Sequence, residues 1–167
     1  QESGEGGMIR RMHSELDSQQ IALQLKAWAQ ELGFARAAIG GVDLSQAEAG
    51  LQAWLDAGFH GEMDYMARHG LKRARPAELV PGTCSILSVF MPYRVPAAGA
   101  ETVLGNGEQA YISRYALGRD YHKVLRARLQ TLAERLAARI GPFGHHVFVD
   151  SAPVLEVELA RQSGLGW

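Results

Sequence analysis

Residues 145–164 read HHVFVDSAPVLEVELARQSG, and this stretch decides the fold class that we expect. The alternation in HHVFV is typical of a strand, and Ser151, Ala152 and Pro153 then begin a predicted helix that runs to Gly164. A strand followed directly by a helix is typical of proteins in which the two kinds of element interleave. Asp150 stands at the junction, and α/β proteins bind their ligands outside the carboxyl ends of strands.

The same succession of helices and strands extends back along the chain. Apolar stripes at helical spacing, with polar residues at their starts and glycines at their ends, predict helices over residues 18–33, 45–58 and 120–140, of which the second opens with capping-box spacing and the third can be capped by Asp120. Residues 92–107 are expected to form a long loop, and residues 111–118 a strand and turn. Residues 34–42 and 86–91 are short apolar segments of strand length. We therefore expect an α/β or interleaved α+β fold.

The composition excludes several classes of protein. The 167 residues are 47% hydrophobic and 21% charged, with a net charge of −1, which is not the composition of a disordered chain. No apolar run approaches the roughly 18 residues of a membrane-spanning helix. The single cysteine, Cys84, excludes an internal disulfide and a multi-cysteine cluster within these residues, and it suits a reducing, cytoplasmic compartment.

The two ends of the chain differ from the rest. Residues 1–7, QESGEGG, have no hydrophobic period, so we expect residues 1–15 to be a disordered leader or cloning remnant and residues 16–167 to form one domain. At the other end, Leu165 and Trp167 follow a predicted helix-ending glycine and need a surface to pack against. We expect the chain to be the N-terminal part of a longer protein.

Positive charge is concentrated in two windows. Residues 68–75 and 111–128 hold nine of the 17 cations and only one of the 18 acids. If the windows meet in space, they form a surface suited to phosphate or nucleic-acid backbone. Alternatively, these side chains are solvated and pair with nearby acids. The cations are Arg68, Lys72, Arg73, Arg75, Arg114, Arg119, Lys123, Arg126 and Arg128.

Two places could carry chemistry. Residues 111–123, YISRYALGRDYHK, set hydrogen-bonding side chains beside a helix N-terminus, which attracts anions; alternatively they are a turn packed on the core, with His122 solvated. Asp150 is either a functional carboxylate or the N-cap of the next helix, unless Ser151 takes that role. His145 and His146 would point to opposite faces of a strand, and we predict no metal site.

Several stretches together resemble the epoxyqueuosine reductase family. They include HGEMDYM at residues 60–66, ALGRDYHKVL at 116–125 and VDSAPVLE at 149–156, and the resemblance covers residues 16–167. It implies a cobalamin-dependent oxidoreductase that removes the epoxide oxygen of epoxyqueuosine, at the wobble position of tRNAs for Asp, Asn, His and Tyr, to give queuosine. It also implies a nitroreductase-like domain, with a mixed sheet flanked by helices, that binds base-off cobalamin. Two [4Fe–4S] clusters in a following ferredoxin-like module would supply electrons.

The resemblance also implies roles for particular residues. Asp150 would be the general acid that protonates the departing oxygen, Arg73, Ser113 and Asp150 would line the corrinoid, and Tyr121 and His122 would lie close to the reacting face. The basic windows would grip anticodon-loop phosphates. The family's cluster-binding cysteines would follow Trp167, so we expect this chain alone to be inactive. We also expect a monomer without a membrane partner, supplied by an electron donor that the sequence does not identify.

Two alternatives remain open at the level of sequence. One is a corrinoid carrier or trafficking module that performs no redox chemistry. The other is a free-standing, nitroreductase-like domain that binds flavin. Cysteine clusters after Trp167 would favour the reductase over the carrier, and a flavin spectrum would favour the flavin-binding domain.

Overall fold

The structure is a computed structural model that describes residues 3–167, with side chains from residue 17 onward. The chain forms two compact units, one of residues 1–90 and 153–167 and the other of residues 91–152. The predicted leader, residues 1–15, lies outside the described side chains and stays a prediction. The helices and strands are α1 (Ser3–Glu31), β1 (Arg36–Gly40), α2 (Ser45–Asp56), α3 (Asp64–Arg68), α4 (Pro76–Leu79), β2 (Ile86–Phe90), α5 (Ala100–Leu104), α6 (Tyr121–Ile140) and α7 (Glu156–Gln162), with 3₁₀ turns at Gly70–Ala74 and Arg114–Ala116.

The first unit is built on an antiparallel pair of strands. β1 pairs with β2 so that Arg36 lies opposite Phe90 and Gly40 opposite Ile86. α1 contacts β1, and α7 contacts both strands. Gly40 permits the approach of α7, because an added Cβ there would lie 3.2 Å from Ser163 Cβ.

Apolar side chains from distant parts of the sequence form the core of the first unit. Leu44 and Leu51 pack with Ala74 and Leu159, and all four are buried. Burial of such side chains supplies the main driving force for bringing α2, the 3₁₀ turn and α7 together. The partly buried side chains around this cluster are Leu55, Ile86, Val154 and Leu155.

The second unit is largely irregular around one long helix. α6 begins after Asp120, whose Oδ1 accepts a hydrogen bond from His122 N at 3.0 Å, as a helix N-cap does. It ends at Gly141, which has a φ of +92°. No helix among the described residues is both long enough and apolar enough to cross a membrane.

Several predicted elements are confirmed. α2 and α6 lie where their apolar stripes and start signals predicted, β1 and β2 fall within the two predicted strands, and the mixture of helices and strands agrees with the predicted fold class. α1, however, begins at Ser3, so Ser18 lies inside it rather than at its start. α5 lies within the long loop expected at residues 92–107, and residues 111–118 contain a 3₁₀ turn but no strand.

The predicted strand at residues 145–149 is wrong, as is the predicted start of the last helix. The described residues contain one two-stranded antiparallel sheet, not the expected mixed sheet. Val149 is buried while Phe148 is exposed, so the alternation is satisfied by packing without a hydrogen-bonded partner strand. α7 begins at Glu156, not Ser151: Pro153 disfavours helical backbone at Ala152, and Leu155, at the N-cap position, still has a non-helical ψ of 73°.

Candidate active site

Three of the predicted site residues meet at the N-terminus of α6. The hydroxyl of Tyr121 donates a hydrogen bond to Asp150 Oδ2. His122 Nε2 lies 3.6 Å from the same carboxylate oxygen. The rings of Tyr121 and His122 stack, with centroids 4.0 Å apart and an angle of 27° between their planes. α6 thus presents one hydroxyl and one imidazole to one carboxyl group.

Asp150 has an unusual backbone conformation. Its φ is +54°, and it is the only non-glycine residue in the described part of the chain with a positive φ. Such a conformation costs free energy and is kept where surrounding contacts impose it. Here Tyr121 holds the carboxylate, and Arg126 Nη2 donates to the hydroxyl of the next residue, Ser151, at 3.2 Å.

The helix-capping alternative for Asp150 does not hold. α7 begins at Glu156, its N-cap position is Leu155, and no side chain caps it. Both Asp150 and Ser151 are therefore too early in the chain to cap this helix. The Asp150 side chain is 51% exposed, which leaves it accessible to a ligand.

The electrostatics of the cluster favour Tyr121 as a hydrogen-bond donor. The hydrogen bond to Asp150, loss of solvent and the charge of Asp150 raise the pKa of Tyr121 to about 12. The phenol therefore stays protonated at neutral pH. Both Tyr121 and His122 face the same carboxylate oxygen of Asp150, Oδ2.

Sequence reasoning recognised Asp120 as a cap but missed its second contact. Its Oδ1 also lies 3.0 Å from His122 Nδ1. This hydrogen bond is the main reason that the pKa of Asp120 is held below its ordinary value. An Asp-x-His pattern at a predicted helix start is the signal that could have revealed it, because the cap oxygen faces the second residue of the helix.

Ser113 lies in the same unit, at the start of the 3₁₀ turn Arg114–Ala116, and is exposed. From that turn the ring of Tyr115 meets the ring of Tyr121 edge-on, with centroids 6.2 Å apart. No group of three or more His, Cys, Asp or Glu side chains among residues 17–167 could hold a metal ion.

Arg73, the remaining predicted site residue, lies in the first unit. It is buried, with Nε donating to the carbonyl of Met66 at 3.2 Å and Nη2 to the carbonyl of Tyr65 at 2.8 Å. Its guanidinium carbon also lies 5.8 Å from the centre of the Tyr65 ring. These contacts give Arg73 a role in holding residues 65 and 66, while its predicted contact with a corrinoid stays a prediction.

The two basic windows lie in different units, and part of their charge is used internally. In the first, Arg75 pairs with Glu48 at 2.7 Å and with Glu78 at 3.2 Å. In the second, Arg114 donates to the carbonyl of Val95 at 2.9 Å. The alternative of pairing with nearby acids thus holds for Arg75, Arg114 is bound to a backbone carbonyl instead, and the single joint surface stays a prediction. Within the described part of the chain, the exposed cations of these windows that form no hydrogen bond or salt bridge are Arg68, Lys72, Arg119 and Lys123.

Comparison with known proteins gives consistent matches. A family model described as epoxyqueuosine reductase QueG, DUF1730, matches residues 73–151. The epoxyqueuosine reductase of Pseudomonas aeruginosa is 58% identical over 90% of this chain and 42% of its own length. That of Vibrio cholerae is 57% identical over 91% of this chain and 41% of its own. That of Escherichia coli is 51% identical over 93% of this chain and 41% of its own.

A solved structure agrees at the level of the fold. The structure of epoxyqueuosine reductase from Streptococcus thermophilus matches with a TM-score of 0.67 and 20% identity, over 87% of this chain and 39% of that one. The chain spans about two fifths of the length of the curated relatives described above. The matched family segment contains all five predicted site residues. By its sequence, the chain belongs to the epoxyqueuosine reductase family.

Proposed function

We propose that this chain is the N-terminal, corrinoid-binding and proton-donating part of an epoxyqueuosine reductase, which converts epoxyqueuosine in tRNA to queuosine. The observation that carries the proposal is the Asp150 carboxyl, which Tyr121 holds in a left-handed turn with half of its surface exposed. The names of the curated relatives supply the reaction class.

The reaction needs a proton donor. Converting an epoxide to an alkene consumes two electrons and two protons, and the oxygen leaves as water. An alkoxide is a poor leaving group unless it is protonated in the transition state. Asp150 would carry that proton on its carboxyl group, which the Tyr121 hydroxyl holds through Oδ2. Tyr121 would orient the carboxyl group and is not itself the proton source.

The proposed cofactor is cobalamin, and exposed side chains in the same unit as Asp150 have the chemistry that it needs. A corrin is a broad apolar ring edged with amide side chains, so it needs apolar contact together with hydrogen-bonding groups. Ile112 and Tyr115 are 55% and 56% exposed, and the hydroxyl-bearing Ser113 stands between them in sequence. Bound there, cobalamin would supply a low-valent cobalt centre able to reduce the epoxide. The residues that would hold it are Ser113, Tyr121, His122 and Asp150.

Other parts of the proposal concern partners. Electrons would come from two [4Fe–4S] clusters whose cysteine ligands are not among these 167 residues, since the chain has a single cysteine. The substrate would be the anticodon loop of tRNAs for Asp, Asn, His and Tyr. The exposed Arg119 and Lys123, beside the N-terminus of α6, are suited to contact its phosphates. The protein that contains this chain would act as a monomer in the cytoplasm.

The decisive experiment is Asp150→Asn in the longer protein that contains this chain. Asparagine tolerates the left-handed backbone and keeps an acceptor for Tyr121, but it donates no acidic proton. We expect the rate of queuosine formation, measured by mass spectrometry of digested tRNA, to fall by about 10²- to 10⁴-fold. Cobalamin absorbance should be retained. Turnover within a few-fold of the unaltered protein would remove Asp150 from the acid role.

Cofactor binding is tested on the chain itself. Hydroxocobalamin should bind saturably in calorimetry, with a shift of the visible spectrum toward the base-off form. The control variant Asp43→Asn should bind hydroxocobalamin as the unaltered chain does. Asp43 accepts a backbone hydrogen bond from Ser45 at 2.9 Å, but it lies in the first unit. Absence of binding by a folded chain would contradict the proposal that these residues suffice to hold the corrinoid.

A further inference from the structure

Asp120 fixes the position of one hydrogen on His122. One oxygen, Oδ1, accepts from the His122 backbone N–H at 3.0 Å and lies 3.0 Å from His122 Nδ1. The pKa of Asp120 is held below its ordinary value, so the group is an ionised acceptor at neutral pH. An ionised carboxylate cannot donate, and Nδ1 must therefore carry the hydrogen of this bond.

That hydrogen determines what His122 Nε2 can do. In a neutral imidazole with its hydrogen on Nδ1, Nε2 is a bare acceptor. Nε2 faces Asp150 Oδ2 at 3.6 Å. Two bare acceptors that face each other repel, and one proton placed between them removes the repulsion. The proton is either on Nε2, as an imidazolium beside a carboxylate, or on Asp150 beside a neutral imidazole.

We propose that Asp120 is a positioning residue that sets the His122 tautomer, so that His122 and Asp150 together hold one transferable proton. This inference rests on the proposed function of Asp150 as the general acid. Without Asp120, a neutral His122 could place its hydrogen on Nε2 and donate it to an ionised Asp150. That arrangement is stable but holds no acidic proton, because a neutral imidazole is an extremely weak acid.

The proton balance of the proposed step is simple. The Nε2–H bond breaks as a proton passes to the Asp150 carboxylate, and His122 becomes neutral. The carboxyl O–H bond then breaks as an O–H bond forms on the departing epoxide oxygen, which restores the carboxylate. The His122 side chain is 48% exposed, so water can return a proton to Nε2. The electrons are those of the reduction proposed above and do not pass through these groups.

The other groups at the site do not replace His122 as the proton source. Tyr121 donates to Asp150 Oδ2, and its raised pKa of about 12 makes it a poor acid near neutral pH. Arg126 donates to Ser151, and a guanidinium does not release its proton in this range. Lys123 is the other exposed cation beside His122 on α6.

The test is Asp120→Asn, which keeps the shape of the side chain but removes its charge. Because one oxygen, Oδ1, faces both the His122 backbone N–H and Nδ1, an amide NH₂ turned toward Nδ1 gives up the cap acceptor and favours the tautomer with hydrogen on Nε2. Side-chain ¹⁵N NMR of His122 in the full chain reports the tautomer directly. We expect Nδ1–H in the unaltered chain and Nε2–H in the variant.

Turnover in the longer protein supplies the second readout. We expect kcat to fall at least tenfold in Asp120→Asn while KM and cobalamin absorbance stay unchanged. Asp43→Asn is the matched control, because Asp43 Oδ1 accepts a backbone N–H two residues along, at 2.9 Å, without contacting a histidine. If Asp120→Asn does not fold, Asp120→Ser keeps a cap acceptor without the charge, and there we expect loss of the Nδ1–H preference and the same fall in kcat.

The outcomes separate this inference from the proposed function. A neutral His122 with its hydrogen on Nε2 in the unaltered chain would overturn the inference, as would an unchanged tautomer and kcat in the variant. Unchanged turnover in Asp150→Asn would instead overturn the role of Asp150, whatever the tautomer of His122.

Discussion

Replacing Arg73 with methionine should destabilise the first unit. The guanidinium is 8% exposed and donates to the carbonyls of Tyr65 and Met66, at 2.8 and 3.2 Å. Methionine has a similar length but donates no hydrogen bond, so both carbonyls lose a charged partner. Residues 60–66, which lead into α3, would then be held less firmly against the 3₁₀ turn Gly70–Ala74.

The expected loss follows from these two contacts. A hydrogen bond to a charged group contributes about 1.5–3 kcal/mol, and we expect the bond at 3.2 Å to lie near the low end. Tyr65 is 53% exposed, so water can partly replace the lost donor there. We therefore expect the free energy of unfolding to fall by about 3 kcal/mol. For a chain of this size that lowers Tm by roughly 6–12 °C.

Thermal and urea unfolding followed by circular dichroism measure this change. Arg68→Met is the matched control, since Arg68 is an exposed cation of the same window, and it should alter stability by no more than about 0.5 kcal/mol. Arg73→Met that keeps full stability but loses hydroxocobalamin binding would refute the structural role. It would assign Arg73 to the cofactor, as the family resemblance implies.

Two further predictions concern the cluster on α6 and the core. Asp150→Asn should lower the pKa of Tyr121 from about 12 toward its ordinary 10.0, because the carboxylate charge is lost, and ultraviolet absorbance of the ionised phenol measures it. A tyrosine whose pKa is higher in the folded than in the unfolded chain stabilises the folded state. This contribution is complete below the unfolded pKa of 10.0 and is lost as the pH rises to about 12, and we expect that loss in the unaltered chain only. An unchanged titration would refute the Tyr121–Asp150 hydrogen bond. Leu44→Ala, at a fully buried position, should cost about 2–5 kcal/mol in urea unfolding, and a loss under about 1 kcal/mol would contradict its packing in the core.

Local signals in the sequence were enough for the elements that depend on neighbouring residues. The stripe and start signals of α2 and α6 are complete within each segment, and Asp120 caps α6 as predicted. The predicted capping box of α2 is an exception, since no side chain caps that helix and Asp43 accepts the N–H of Ser45 instead. The helix forms regardless, because Leu51 is buried in the core and tertiary packing outweighs a single cap.

The errors fall where structure depends on distant partners. Residues 145–149 have the alternation of a strand, but a strand also needs a neighbour to complete its hydrogen bonds, and β1 and β2 pair with each other. The same distinction between local and distant contacts applies to the candidate site. Asp150 stood out through its place before an expected helix, although that helix begins later, and His122 was ambiguous until its two carboxylate neighbours were known.

The sequence by itself determined the family, the helical segments and the residue types available for chemistry, because each of these depends on short stretches of consecutive residues. Only the tertiary structure decided how those residues are used. Tyr121 and Asp150 are 29 positions apart, and their hydrogen bond exists because the chain between them closes back on the start of α6. Arg73 was one cation among several in a basic window until folding buried it against two carbonyls. A side chain's chemistry is set by its neighbours, and folding chooses neighbours from the whole chain.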